Sequence, residues 1–367
     1  MSPIKVGFVG LSSTGWAASV IGPALTQPSM KEHFDIVAIT TSSDASSKVA
    51  SDKYSQQTGH PVKAYYGHTG SAAMAADPDV EFVAVAVKAP DHKKAVMQAI
   101  DAGKNFFVEW PAGTGIHETQ EIAEAARKKG VRSMVGLQAR ESKVFTKVRE
   151  IIQSGKIGAV RSSNFIVMSP REHLAWAPIG KEKTAYYRKA NGVNLLSIVG
   201  GHGLDIFTSV LGGFKTVSAT SATVYPTVTV VDDEGKPTGQ TLPSEVPDHI
   251  SITGLLESGA LVNIFLRAGY PSKPGRRQFL WDIEGEEGSI KMEAEAFGYL
   301  DPDIYLNGEK VDVEEGPTGA AYSIAASWKA FAQGDTAHYP TIEEAVKNHQ
   351  LLLAVERSFE ERVPVNL

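Results

Sequence analysis

Apolar and polar positions alternate in blocks along the first third of the chain. Ile4 to Leu11 is an apolar, β-branched run with a glycine near its end, the pattern of a buried strand. Trp16 to Leu25 has the spacing of a helix and is broken near Pro28. Phe34 to Thr41 reads as a second strand and Ala45 to Gln57 as a helix. Val80 to Val87 is apolar almost throughout, as expected of a strand covered on both faces of a parallel sheet. Asp91 to Ala102 has helical periodicity up to Gly103, and Asn105 to Val108 is a short strand. Ile116 to Lys129 is an amphipathic helix stopped by Gly130, and Ser133 to Leu137 is a strand. Alternating strands and helices predict a doubly wound parallel sheet with right-handed crossovers.

The pattern changes after residue 138. Lys143 to Gln153 reads as a helix and Val160 to Val167 as a strand. Ser169 to Arg188 is polar and aromatic, the composition of a loop at a site. Asn194 to Leu211 is expected to be helical despite its glycines. Longer strands follow over Thr216 to Val231, His249 to Leu256, Ala260 to Ala268, Gln278 to Glu284 and Ser289 to Ala294, separated by turns rich in Gly, Pro and Asp. Tyr322 to Ala332 and Thr341 to Glu360 are closing helices. The predicted architecture is an α/β Rossmann domain over residues 1–138. An α+β domain with an open, mainly antiparallel sheet follows over residues 139–367, and its C-terminal helix is free to pack back on the first domain.

Composition narrows the function. The chain has 367 residues, 42% hydrophobic and 21% charged, which suits two globular domains. Its net charge of -6 is mixed along the chain, so no surface for direct nucleic-acid contact is expected. There is no cysteine, which excludes disulfides, thiolate catalysis and cysteine metal sites. Met1 to Lys5 leads straight into the first strand without a basic leader, and Phe82 to Val87 is too short to span a bilayer. A cytoplasmic protein without a membrane partner is expected. No histidine pair has metal-site spacing with a nearby acid, so no metal is expected.

The first strand ends in Gly10-Leu11-Ser12-Ser13-Thr14-Gly15. This is the G-x-G-x-x-G spacing with Ser12 in place of the central glycine. In that motif the first glycine makes the tight turn, the central one admits the pyrophosphate and the third lets helix and strand pack closely. The helix N-terminus then offers free N–H groups to phosphate. Ser12 adds a small side chain and a hydroxyl donor. A dinucleotide cofactor is therefore expected on Gly10, Ser12, Ser13, Thr14 and Gly15. The second strand ends in Thr40-Thr41-Ser42-Ser43-Asp44, with Lys48 one helical turn on. Thr41, Ser42 and Ser43 beside a lysine suit a 2′-phosphate, so NADP is expected before NAD. Asp44 keeps NAD open. Ser43 or Asp44 as a plain helix N-cap is an equal alternative.

With the glycine turn, the Ala102-Gly103-Lys104…Glu109-Trp110-Pro111 strand and Gly200-Gly201-His202…Asp205, the chain resembles the glucose–fructose oxidoreductase, inositol dehydrogenase and MocA family over nearly its whole length. Gly7-Phe8-Val9-Gly10-Leu11 with Gly15-Trp16-Ala17, Phe107-Val108-Glu109-Trp110, Asn191-Gly192-Val193 and Pro247-Asp248-His249 add a likeness to the branch that holds the fungal galactose/lactose metabolism regulatory proteins and their oxidoreductase-like relatives. The resemblance implies that Glu109 approaches the nicotinamide ribose and that the loop with His92 runs beside the ring. Lys88, Pro111 and Gln138 join the expected cofactor residues. It also implies self-association, as a homodimer or tetramer through the open sheet.

The chain departs from the family where protons move. Family enzymes carry lysine where Trp110 stands, and an acid where Ile198 stands, four residues before His202. Indole donates a hydrogen bond and cannot accept a proton. Trp110 is thus a pocket wall, a shelf, a donor or simple filling, the last with a cis bond to Pro111 as one arrangement. His202 is the remaining acid/base, with a structural pairing to Asp205 as the alternative. Asp205, Lys183 and Tyr186 are placed with Trp110 in the substrate pocket. Two functions follow: an NAD(P)-dependent oxidoreductase on a sugar-like or other small hydroxy, carbonyl or imine substrate, or an inactive nucleotide-binding regulator acting on a protein partner.

Overall fold

The computed structural model describes residues 2–171, 179–180, 184, 187–232, 234–296, 301–314 and 318–367. It divides into two compact units. Unit 1 comprises Met1–Glu141 and Thr318–Lys347, and unit 2 comprises Ser142–Pro317 and Asn348–Leu367.

In unit 1, β1 (Ile4–Val9), β2 (Phe34–Thr41), β3 (Lys63–Tyr66), β4 (Phe82–Val85), β5 (Asn105–Val108) and β6 (Ser133–Val135) form one sheet. Its order is β3-β2-β1-β4-β5-β6, and every pair is parallel. This is the doubly wound Rossmann order, whose direction reverses between β1 and β4. Strand β3 and the helix Gly67–Ala76 after it were not legible in the sequence. β3 is short and mostly exposed, so it carries no apolar run. Helix Gly319–Gln333, from far along the chain, belongs to this unit. Its Trp328 ring lies 5.1 Å from Phe34, 5.3 Å from Phe82 and 5.1 Å from Phe107, which gathers β2, β4 and β5 into one aromatic core.

Unit 2 contains β7 (Val160–Pro170), β8 (Ile179–Gly180), β9 (Phe214–Ala222), β10 (Thr227–Val231), β11 (Pro237–Pro243), β12 (His249–Leu256), β13 (Leu261–Tyr270), β14 (Phe279–Gly285), β15 (Ser289–Ala294), β16 (Asp303–Leu306), β17 (Glu309–Val311) and β18 (Val365–Asn366). Nine of them form the sheet β17-β16-β15-β14-β7-β13-β12-β9-β18, antiparallel except at β7–β13. The single strand expected over Thr216 to Val231 is two strands in different sheets. The break falls where Val224 and Tyr225 turn their N–H groups to the Asp248 carboxylate, at 2.9 and 2.7 Å, and where Pro226 has none to offer.

The glycine-rich helix is real and its glycines have a packing reason. Leu195–Gly200 is a π-helical turn that runs into the α-helix Gly201–Leu211. A Cβ at Gly200 would lie 2.9 Å from the Leu266 methyl, and one at Gly203 would lie 3.2 Å from the Phe165 ring. Their absence lets the helix close on β7 and β13. Below it Phe165, Phe207 and Trp281 are in contact, with ring centroids 5.1 to 5.7 Å apart.

Candidate functional site

The C-terminal ends of β1, β2, β4, β5 and β6 carry most of the residues singled out from the sequence. Gly10 N donates to Thr40 O at 2.8 Å, and a Cβ on Gly10 would lie 2.5 Å from Ala86 O. With φ at +95°, this position needs glycine for both conformation and space. Gly15 also has positive φ, +88°, but open surroundings. Between them, Ser13 and Thr14 are exposed. The Ser12 hydroxyl donates to Thr14 O at 2.6 Å and accepts from Thr14 N at 3.3 Å. Its single proton is therefore spent inside the turn, so the hydroxyl expected to serve a phosphate instead shapes the loop.

At the end of β2, Thr41 is buried and its hydroxyl meets Ser43 O and Ser46 Oγ. Ser42 is exposed. Ser43 caps helix Asp44–Thr58 by accepting from Ser46 N at 3.2 Å, while Ser46 Oγ accepts from Ser43 N. Asp44 is paired with Lys48 at 2.7 Å.

Glu109 sits at the centre of this rim and is 8% exposed. One carboxylate oxygen accepts from the Trp16 indole N–H at 3.0 Å and the other from Trp110 N at 3.1 Å. Gly136 closes the pocket from β6, where a Cβ would lie 2.3 Å from Glu109 Oε2. Burial pushes the carboxyl up to about 7, against the pull of the two hydrogen bonds. Below its ordinary value of 4.5 both folded and unfolded chains hold the proton. Between 4.5 and about 7 only the folded chain keeps it, so stability falls as pH rises, by about 3 kcal/mol in all. Glu109→Gln should flatten that slope in urea titrations between pH 5 and 7. An unaltered slope would mean that the carboxyl does not titrate there.

Neither Trp16 nor Gly136 was singled out as a site residue from the sequence. A glycine inside a strand segment was the available signal for Gly136, since it marks a close approach. No local signal pointed from Trp16 to an acid 93 residues away.

The other expected cofactor residues take varied places. Lys88 is exposed and forms no ion pair with a described residue. His92 is 2% exposed, and its ring nitrogens face Pro111 O at 2.8 Å and Val87 O at 3.0 Å. Its imidazole is thus committed to bracing the main chain beyond β4 and β5, and burial lowers its affinity for a second proton. Trp110 is buried and its bond to Pro111 is cis. Gln138 is buried, with Oε1 lacking an acceptor role to any described donor.

In unit 2, His202 lies on the helix Gly201–Leu211 and is partly exposed. Dense surrounding protein pushes its imidazole down to about 4, so it is neutral at pH 7. No hydrogen bond joins it to Asp205, which corrects the pairing offered as the structural alternative. Three residues along a helix the two side chains share a face, but buried Asp205 has other partners. Lys183 and Tyr186, expected in the pocket, and His173 beside them lie outside the described residues. Their neighbour Tyr187 is buried, and Arg188 is paired with Glu245 at 2.5 Å.

Comparison with known proteins joins these features. Residues 4–137 match the model of the oxidoreductase family with an NAD-binding Rossmann fold, and residues 144–294 match the C-terminal domain of Gal80p. The dehydrogenase aclE of Aspergillus oryzae is 31% identical over 97% of this chain and 96% of its own length. The chain belongs to the GFO/IDH/MocA oxidoreductase family. Within the GFO/IDH/MocA family it is also 28% identical to the galactose/lactose metabolism regulatory protein GAL80 of Saccharomyces cerevisiae, over 80% of this chain and 68% of that one. A crystal structure of a super-repressor mutant of that Gal80p superposes with a TM-score of 0.87, at 25% identity, covering 100% of this chain and 98% of the other. An NAD-binding oxidoreductase from Klebsiella pneumoniae shares the fold, with a TM-score of 0.79 at 21% identity over 100% and 99% of the two chains. This family member therefore has both a dehydrogenase and regulators among its relatives.

Proposed function

We propose that the chain is an NAD(P)-dependent oxidoreductase acting on a small substrate with a hydroxy, carbonyl or imine group. The setting of Glu109 carries the proposal. A buried carboxyl held by Trp16 from the glycine turn and by Trp110 N ties the turn to the end of β5. Burying an acid costs stability, and a domain that had lost its ligand gains nothing from keeping it. The positive φ of Gly10, its tight approach to Ala86 O and the exposed Ser13 and Thr14 fit a nucleotide pyrophosphate at the helix start. The Asp44–Lys48 pair holds both the acid that would favour a ribose 2′-hydroxyl and the lysine that would favour a 2′-phosphate, so the lean to NADP over NAD rests on the hydroxyls at the end of β2, of which Ser42 is exposed.

A bound nicotinamide nucleotide supplies or accepts the hydride. The chain's own groups limit which substrates suit it. Trp110 cannot take a proton, and His202, held near 4, is a weak base at pH 7. Reduction of an iminium or an activated double bond asks less of a base than oxidation of an alcohol. Such substrates are therefore favoured over sugars. Self-association through the nine-stranded sheet and a cytoplasmic location complete the proposal. One face of that sheet leaves Ile166, Phe265 and Leu280 partly exposed in adjacent register.

A specific observation favours a second function, a nucleotide-binding regulator of a protein partner. The lysine is absent, His202 is depressed, and the fold follows Gal80p closely. The test is a fluorescence titration with NADPH and NADH, followed by a turnover screen over imines, keto compounds, lactones and sugars. Nucleotide binding with turnover is expected, and His202→Ala should lower the rate by roughly a hundredfold if the ring carries the proton. Binding with silence across the panel would move the assignment to the regulator. No binding at millimolar nucleotide would remove both.

A further inference from the structure

Three arginines approach one another at one end of the large sheet of unit 2, none with a carboxylate partner among the described residues. Arg267, on β13, stands opposite His249 of β12 and Met168 of β7. Its guanidinium carbon is 5.7 Å from the Phe265 ring centroid and 5.8 Å from that of Tyr270. Arg276 lies 5.5 Å from the same Tyr270 ring and donates to Pro271 O at 2.8 Å. Arg171 donates through Nε to Gly269 O at 3.0 Å. Those two carbonyls are two residues apart, so about 7 Å or less separates them along the chain.

None of the three arginines forms an ion pair with a described residue. Nε of Arg267 is buried and has no acceptor. Asp248, adjoining the His249 that faces Arg267, is fully buried and spent on Val224 N, Tyr225 N and His249 Nδ1, the last at 2.6 Å. The Tyr270 hydroxyl meets His249 Nε2 at 3.1 Å, which leaves its ring face to the cations. Some arginines elsewhere are paired, Arg161 with Glu286, Arg357 with Glu361, and Arg277 with Glu293 although it adjoins Arg276, whereas Arg132 rests on the Phe331 ring and carbonyl. Arg267 and Arg276 share the Tyr270 ring, and cation–π contact offsets only part of the repulsion between them.

We propose that this corner binds an anionic small molecule, with its carboxylate or phosphate among Arg171, Arg267 and Arg276 and its flat portion against the aromatic rings. The guanidinium fork matches both anions, and the rings of Tyr225, Phe265 and Tyr270 give an unsaturated ligand a surface that a bare ion would not use. This goes beyond the redox assignment and needs no hydride transfer.

The test is calorimetric titration of the full chain, without nucleotide and at low ionic strength, with inorganic phosphate and separately with benzoate. Saturable binding of at least one probe is expected. Phosphate alone identifies a phosphate ligand, and stronger binding of benzoate identifies an aromatic carboxylate. Arg267→Met and Arg276→Met should each weaken it by on the order of tenfold, while Arg277→Met leaves it unchanged. Circular dichroism checks folding, and Arg267→Lys, which keeps charge but loses the fork, serves if the methionine variant unfolds. It should also bind more weakly than the parent. NADPH affinity measured in parallel separates failure here from failure of the nucleotide site. Absence of saturable binding of both probes, or binding that Arg267 and Arg276 variants leave intact, overturns the proposal.

Discussion

Gly136→Ala should destabilise unit 1 by about 3 kcal/mol and weaken NADPH binding by roughly tenfold or more. The new methyl carbon would lie 2.3 Å from Glu109 Oε2 and 3.1 Å from the Glu109 Cα. A flexible side chain can swing away, but a main-chain atom of β5's end cannot. Glu109 must then leave its pocket, and the Trp16 indole and Trp110 N lose their shared acceptor. Gly15→Ala is the control. Its φ is +88° with nothing within 4 Å, so it pays backbone strain alone, about 1–2 kcal/mol. Urea denaturation and fluorescence titration read both effects. A Gly136→Ala protein that matches the parent in both would show that Glu109 needs no such setting.

Asp248→Ala should cost about 3–5 kcal/mol in unit 2. The carboxylate is fully buried and accepts from Val224 N, Tyr225 N and His249 Nδ1. Removing it strands three donors out of water at the point where the chain leaves β9 for β10. Asp248→Asn keeps the shape but presents an N–H₂ to one of those donors, so a smaller loss is expected. Thermal and urea unfolding followed by tryptophan fluorescence compares the two variants. Equal stability of Asp248→Ala and the parent would mean that the turn is held by other contacts.

The loss at the site was more legible than the substitute for it. Trp110 where the resemblance expects a lysine and Ile198 where it expects an acid are read as letters, because that expected spacing is linear. The fate of His202 was not. Its depressed basicity comes from burial, which no neighbouring letter signals. Ser43 shows the same limit. The sequence offered a phosphate ligand and a helix cap as equals, and the capping geometry with Ser46 is what the structure contains.

From the sequence alone came five of the six strands of the parallel sheet, the glycine turn and the antiparallel character of the second half. All of these depend on periodicity or on neighbours a few residues apart. Only the tertiary structure decided that helix Gly319–Gln333 completes the first core, that Gly136 and Trp16 enclose Glu109, and that Arg267 and Arg276 share the Tyr270 ring with no ion pair among the described residues. Burial, desolvation and charge pairing are sums over atoms that folding brings together from distant segments, and no local pattern encodes them.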